Sequence, residues 1–278
     1  MKPAWLNKKV NLGACTEMKR VLRNLGVETV CEQALCPNMG ECFARSEATF
    51  LILGTQCTRM CSFCNVRKGL PMPPDPGEGR RVARAVARLG LKHVVITSVT
   101  RDDLADGGAS VFAETVSLVR RESPRTTIEV LIPDFQLSIE ALQAVADASP
   151  DIIAHNLETV PSLYQWVRQG ADYTRSLEVL RLAKEFAPSR KTKSGLMLGM
   201  GEERDEIVAV MKDLRAVKCD FLSIGQYLAP SIEHFPVKEY ITPEQFDLYG
   251  DTAREMGFAH VESAPYVRSS YAAGEYLE

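Results

Sequence analysis

From residue 50 onward the chain repeats one unit six times: a short run rich in Val and Ile, then a stretch with apolar residues every three or four positions. The short runs fall at 50–54, 93–98, 127–132, 152–155, 193–198 and 219–224. The helical stretches fall near 78–89, 109–121, 138–148, 175–187, 203–217 and 242–256. Parallel strands need a long crossover, and a helix supplies it, so this alternation predicts an α/β fold with a parallel sheet and helices outside. Six units are short of the eight that close a barrel, so the expectation is an open or partial (β/α)6 TIM-like barrel with N- and C-terminal extensions. Crossovers should be right-handed, and chemistry should collect at the C-terminal ends of the strands.

Local signals agree. Gly90 and Gly257 read as helix stops and Ser138 as an N-cap. Thr242-Pro243-Glu244-Gln245 is a capping box with proline at the first helical position. The expected division is an N-terminal extension at 1–48, the barrel at 49–257 and a C-terminal extension at 258–278. Residues 1–14 read as a loose arm. Met18, Val21, Leu22 and Leu25 then share one helical face, stopped by Gly26. The proline-rich piece 71–76 reads as a rigid loop, not a boundary. Arg80, Arg81, Arg84 and Arg88 read as a solvated helix face, one that could also greet an acidic carrier domain.

The chain has eight cysteines, six of them between positions 31 and 64, grouped as two triplets. In a small secreted protein that density would mean disulfides. A chain of 278 residues with no apolar leader-like start points instead to metal binding in the cytoplasm. Cys57, Cys61 and Cys64 directly follow the first strand run. Three thiolates round one cubane leave an iron free to bind a substrate or cofactor. Cys31, Cys36 and Cys42 lie among Pro37, Asn38 and Gly40, which mark a turn-rich loop. Structural zinc prefers closer pairs and four closed ligands, so here a fourth ligand comes from elsewhere or the site stays open. Cys15 and Cys219 read as small buried residues.

A net charge of −3 and a charged fraction of 25% give nucleic acid no footing as the main partner. No run of 18 apolar residues suggests a membrane span. An apolar fraction of 45% is ordinary for a chain with a real core.

Cys57, Cys61 and Cys64 after the first strand, with Phe63 before the last cysteine and β/α repeats behind, resemble the radical S-adenosylmethionine (SAM) superfamily. The stretch 29–42 looks like the second-cluster motif of the lipoyl synthase family, and so does Val267-Arg268-Ser269-Ser270-Tyr271. The stretches 97–108, 155–159, 193–197 and 225–231 fit the same family. The resemblance implies two 4Fe–4S clusters and SAM. Cys57, Cys61 and Cys64 would hold the radical-generating cluster. Cys31, Cys36 and Cys42, with the hydroxyl of Ser270 as fourth ligand, would hold a second, sulfur-donating cluster. Ala272 departs from the polar residue, often His, of many relatives; no ligand role depends on it.

The resemblance further implies a sulfurtransferase that inserts two sulfurs, at C6 and C8 of an octanoyl chain on a carrier protein's lysine. Methionine and 5′-deoxyadenosine are the co-products. An octanoylated lipoyl carrier protein or domain, a reduced ferredoxin or flavodoxin-type donor and an iron–sulfur carrier for cluster rebuilding would be its partners. Cofactor contacts are expected from Thr97, Ser98, Asp102, Asp103, Asn156, Glu158, Arg175 and Lys193, with Arg268 a further cation near the site. Gly107 and Gly108 would let the acidic loop approach the SAM ammonium closely. His155 reads equally as a satisfied core histidine. The rivals are another two-cluster sulfur-inserting radical enzyme, a ferredoxin-like carrier, or a zinc-binding structural protein. The first lacks need of both terminal motifs, and the second has no use for the β/α repeat.

Overall fold

A computed structural model describes residues 2–7, 12–45 and 47–277, with the side chains of Leu12 and Ala14 left out. In chain order the strands are β1 (Glu28–Thr29), β2 (Thr49–Ile52), β3 (Gln56–Cys57), β4 (Arg67–Lys68), β5 (His93–Ser98), β6 (Thr127–Leu131), β7 (Ile152–Ala154), β8 (Lys191–Leu198), β9 (Phe221–Gln226) and β10 (His260–Ser263). The helices are α1 (Leu12–Leu25), α2 (Val30–Gln33), α3 (Met39–Ala44), α4 (Glu78–Leu89), α5 (Ala109–Glu122), α6 (Ile139–Asp147), α7 (Tyr164–Val167), α8 (Tyr173–Phe186), α9 (Arg204–Ala216) and α10 (Pro243–Glu255).

One eight-stranded sheet runs β1-β2-β5-β6-β7-β8-β9-β10. Every neighbouring pair is parallel except β1 on β2. A single register row joins Leu51, Thr97, Leu131, Ala154, Lys193, Phe221 and His260. β3 and β4 form a separate short parallel ladder in the loop after β2.

The core lies between the sheet and its helices. Val94, Ile96, Ile128 and Val130 pack with Phe112, Val116, Leu142 and Val145. Leu196, Leu222 and Ile224 pack with Val210, Leu214 and Phe246. Each such buried side chain contributes roughly 1.5–3 kcal/mol relative to exposure. The alternate residues of β5 and β6, Val95, Thr97, Glu129 and Leu131, therefore point to the other face.

α4 has the expected limits, ended by Gly90 at φ 62. Ser138 caps α6 by accepting from the Ala141 N–H, and the Thr242–Gln245 box is complete. Arg80, Arg84 and Arg88 are exposed, whereas Arg81 donates to the Gly26 carbonyl and to Asp75.

Three expectations need correction. β10 is a further strand parallel to β9, beyond residue 257. Only Val261 of its four residues is an aliphatic apolar residue and its place is the sheet edge, so no periodicity announced it. The first triplet lies partly on helical turns, α2 and α3, because Thr29 caps α2 by accepting from the Glu32 N–H. The arm is not loose at its described part: Leu6 is buried and its carbonyl accepts from the Tyr266 hydroxyl at 2.6 Å. Residues 1 and 8–11 of that arm lie outside the described residues.

Candidate active site and metal centres

The second triplet leaves the C-terminal end of β2 through a fixed turn. Leu53 takes φ 68, a value that bulky side chains rarely adopt. Glu78 accepts its N–H at 2.6 Å, and Arg101 donates to its carbonyl at 3.2 Å. Beyond it the loop spends its backbone polar groups on neighbours: Thr58 N–H on the Thr100 carbonyl, Ser62 N–H on Val167, and the Cys57 carbonyl on Gly69 N–H. The Thr100 N–H reaches the Cys57 sulfur at 3.4 Å. Asn65 ties the loop to the first triplet by donating to the Gln33 carbonyl at 2.9 Å. Phe63 packs beside Val167, Met200 and Tyr227.

All three thiols are free and partly buried. Burial pushes the Cys61 thiol up, opposed by the charge of Arg168, and pushes Cys64 up to about 12. A metal that binds here displaces protons. Among the described residues no three His, Cys, Asp or Glu side chains converge on a single-ion position. A cubane needs no such convergence, since each thiolate takes a different iron. The donor chemistry of the triplet therefore fits a cluster.

The acidic loop after β5 is arranged differently from expectation. Arg59, inside the cysteine loop, donates to both oxygens of Asp102 at 2.7 and 2.9 Å and to both of Asp134 at 2.9 and 2.6 Å. Arg101 holds Asp103 at 2.8 Å. Both Asp102 and Asp103, expected to face a cofactor ammonium, are thus engaged by arginines. Gly107 and Gly108 serve packing: an added Cβ at Gly108 would stand 2.2 Å from Leu53 Cδ1, and one at Gly107 2.9 Å from the Phe135 ring. Arg175, another expected cofactor contact, completes the ion-pair chain by donating to Asp134 at 2.9 Å.

Other polar groups at the C-terminal ends of the strands remain open. Glu158 takes φ 67 and is locked by backbone bonds to Gly195 and Met197. Its carboxylate accepts from Asn156 at 3.0 Å, and burial raises its pKa. Among the described residues, the Ser98 hydroxyl, at the end of β5, and the Thr159 hydroxyl are buried without a hydrogen-bond partner. Thr97 donates across to the Leu131 carbonyl at 2.9 Å. His155 is a satisfied core histidine: its ring bonds the Ile132 carbonyl at 2.8 Å and faces Arg168 at 3.4 Å, and burial pushes it down to about 3.

Lys193 is elsewhere. It is the third residue of β8, near the N-terminal ends of the strands, and pairs with Glu129 at 3.2 Å with both side chains fully buried. Its ammonium lies 3.7 Å from the Tyr276 ring. Its expected place beside a cofactor at the opposite end of the strands is corrected by that position.

The first triplet and Ser270 line one cavity of about 610 Å³. Cys31 is pushed up to about 12 and Cys42 to about 11, by burial first and then by the neighbouring Cys36. The terminal segment is held there by named contacts. Asn38 donates to the Tyr266 carbonyl at 2.6 Å, Tyr271 to Glu41 at 3.1 Å, and Ser269 to Asn156 at 2.9 Å. Three thiols and a hydroxyl in one cavity suit a cluster with one oxygen ligand.

Sequence reasoning missed Arg59, Asp134, Arg101 and Arg168. The position of Arg59 between two cysteines was the available signal. Asp134 is 75 residues from it, with no motif to join them.

Residues 51–214 match the radical SAM superfamily, so the chain is a radical SAM enzyme. That class brings a 4Fe–4S cluster and SAM. The chain is 60% identical to lipoyl synthase of Geobacter sp. (strain M21), over 100% of this chain and 95% of the relative. It is 60% identical to that of Trichlorobacter lovleyi, over 99% and 98%, and 54% identical to that of Alkaliphilus metalliredigens, over 100% and 96%. The chain belongs to the lipoyl synthase family. Among solved structures, Streptococcus suis SuiB bound to S-adenosylmethionine shares the fold, with TM-score 0.61 at 12% identity over 81% of this chain and 53% of that one. The hydrogenase maturase HydG does so with TM-score 0.58 at 15% identity, over 91% and 68%.

Proposed function

We propose that the chain inserts two sulfur atoms, at C6 and C8, into an octanoyl group held on a lysine of a lipoyl carrier protein or domain. One observation carries the second half of this reading: Ser270 lines the same cavity as Cys31, Cys36 and Cys42. Cys57, Cys61 and Cys64 would hold one 4Fe–4S cluster, and the first triplet with Ser270 the other. When bound, these groups and SAM supply one-electron cleavage to methionine and a 5′-deoxyadenosyl radical, together with the sulfur that is transferred.

The remaining work falls to this chain. Glu158 is half-buried and, among the described residues, forms no ion pair within bonding distance, with only the charge of Arg168 acting on it from farther off; it is the carboxylate suited to receive the cationic SAM, and Asn156 orients it. Ser98 offers an unspent hydroxyl at the end of β5. Arg168 and Arg59 place positive charge near Cys61 and favour its thiolate.

The sheet would curl as a partial (β/α)6 barrel. The extension up to residue 48 and the segment after β10 would carry the second site. A reduced ferredoxin or flavodoxin-type donor and an iron–sulfur carrier would serve the enzyme in the cytoplasm. Among the described residues no helix is long and apolar enough to cross a membrane.

The test is anaerobic turnover with SAM, reductant and an octanoyl-lysine peptide, read by mass spectrometry. Lipoyl product with 5′-deoxyadenosine is expected. Cys57→Ala should abolish SAM cleavage, whereas Cys36→Ala should keep it and lose sulfur insertion. Loss of both activities in a folded Cys36→Ala variant still loaded at the second triplet would overturn this division.

A further inference from the structure

Among the described residues Arg268 has no carboxylate partner. It lines the cavity of the first triplet together with Ser270. Its Nη1 donates to the carbonyl of its own neighbour Val267, at 2.6 Å. Among the described residues the ionisable groups that act on it are Cys36 and Tyr266, and neither is a carboxylate. The other inward arginines have more: Arg59 holds Asp102 and Asp134, Arg101 holds Asp103, and Arg168 has Tyr164 and Ser176.

A guanidinium half-withdrawn from water without a counter-charge weighs on the fold that carries it. The geometry here supplies a reason to keep it. The packing of Val267 on Gly225 sets the backbone from which Arg268 projects, because an added Cβ at Gly225 would lie 2.0 Å from the Val267 oxygen. The neighbouring charge is Cys36, which stands in the same cavity as Cys31 and Cys42. Bound as thiolates to a cubane, these three sulfurs present net negative charge, and a guanidinium fork can donate to several sulfurs at once.

We infer that Arg268 is a positioning residue for the first triplet, supplying the counter-charge that holds its thiolate-bound cluster. This rests on the reading of that triplet as a cluster site. The arginine and the cluster then stabilise each other: the cation is a burden to the unloaded chain and an asset to the loaded one.

The full chain is loaded anaerobically with iron and sulfide, and iron release to a ferrous chelator is followed with time. Arg268→Met should lose about half of its iron roughly tenfold faster than the parent, the rest leaving at the parental rate. Arg268→Lys, which keeps the charge, should stay within about twofold of the parent. Without iron, Arg268→Met should melt at or above the unloaded parent. Iron held by Arg268→Met as long as by the parent overturns the inference. So does an Arg268→Lys as leaky as Arg268→Met, or an unloaded Arg268→Met that melts well below the parent. A parent that binds no more iron than a Cys31→Ala, Cys36→Ala, Cys42→Ala variant sinks the reading of the triplet itself, and the inference with it.

Discussion

Asp134 is a single buried carboxylate bonded to two arginines, Arg59 from the cysteine loop and Arg175 from α8. Burial alone would raise its carboxyl, but the bonds from Arg59 and from the Gln136 N–H hold it well below the usual carboxylate range. Asp134→Asn leaves two guanidinium groups facing a neutral amide and should cost about 3–5 kcal/mol. A urea midpoint shift at unchanged slope would measure it, and faster alkylation of Cys61 would show the loop loosening. The sign with pH follows from the lowered value. The contribution is complete above the unfolded carboxylate pKa of about 4 and fades as pH falls through the folded value. His155 acts in the same direction. Unfolded it takes a proton near 6.5, while burial delays protonation in the fold to about 3. Stability should therefore fall between those values, by up to about 1.4 kcal/mol per pH unit. Acid unfolding curves of His155→Gln should be flatter over that window, and an unchanged slope would rule out a neutral buried His155.

Among the elements, β9 and the terminal segment meet at Gly225. Gly225→Ala forces the Val267 carbonyl away from the strand, because a backbone oxygen cannot rotate aside as a side chain would. Overpacking of this kind costs about 1–3 kcal/mol. The sheet should survive it while the segment that carries Ser270 lifts. Iron counts should fall by about half, with the second triplet still loaded. A fully loaded Gly225→Ala variant would mean that the segment docks without β9. The contrast with what the sequence made legible lies in range. α4, α6 and α10 were readable because apolar spacing, N-cap and stop all act within a few residues, as with Thr242, Pro243 and Gln245. The cysteine triplets were readable because thiol chemistry needs close spacing. β10 was hidden because an edge strand needs few apolar residues. The Arg59–Asp134 pair and the burial of Lys193 against Glu129 were hidden because partners 75 and 64 residues apart leave no local pattern. The arginine partners of Asp102 and Asp103 were hidden for the same reason: a carboxylate in a loop does not disclose which arginine takes it.

At the scale of the whole molecule, the terminal segment runs from the C-terminal end of β9 to the N-terminal ends of the strands. It touches Gln226 and Gly225 first, then lines the first-triplet cavity, and finishes in a tight turn, Ala273–Leu277. That turn places the Tyr276 ring 4.3 Å from His260, 5.3 Å from Phe221 and 3.7 Å from the Lys193 ammonium. It thereby covers a fully buried Lys193–Glu129 pair, beside which His93 Nε2 stands 3.6 Å from Glu129 and, among the described residues, Glu129 Oε1 and the Tyr276 hydroxyl have no hydrogen-bond partner. Ser270 precedes the turn by three residues, a reach of about 10 Å at most. Anchoring Tyr276 therefore limits how far Ser270 can leave the cysteines. A chain ending at Ala272 loses the anchor and opens the ion pair to water. Hydrogen exchange should rise at the starts of β6 and β8, near Glu129 and Lys193. Iron at the first triplet should become labile to a chelator, while SAM cleavage at the second triplet persists. Faster exchange with first-triplet iron as firmly held as before would show that the turn only caps the sheet, and that Asn38, Glu41 and Asn156 suffice to keep the segment in place.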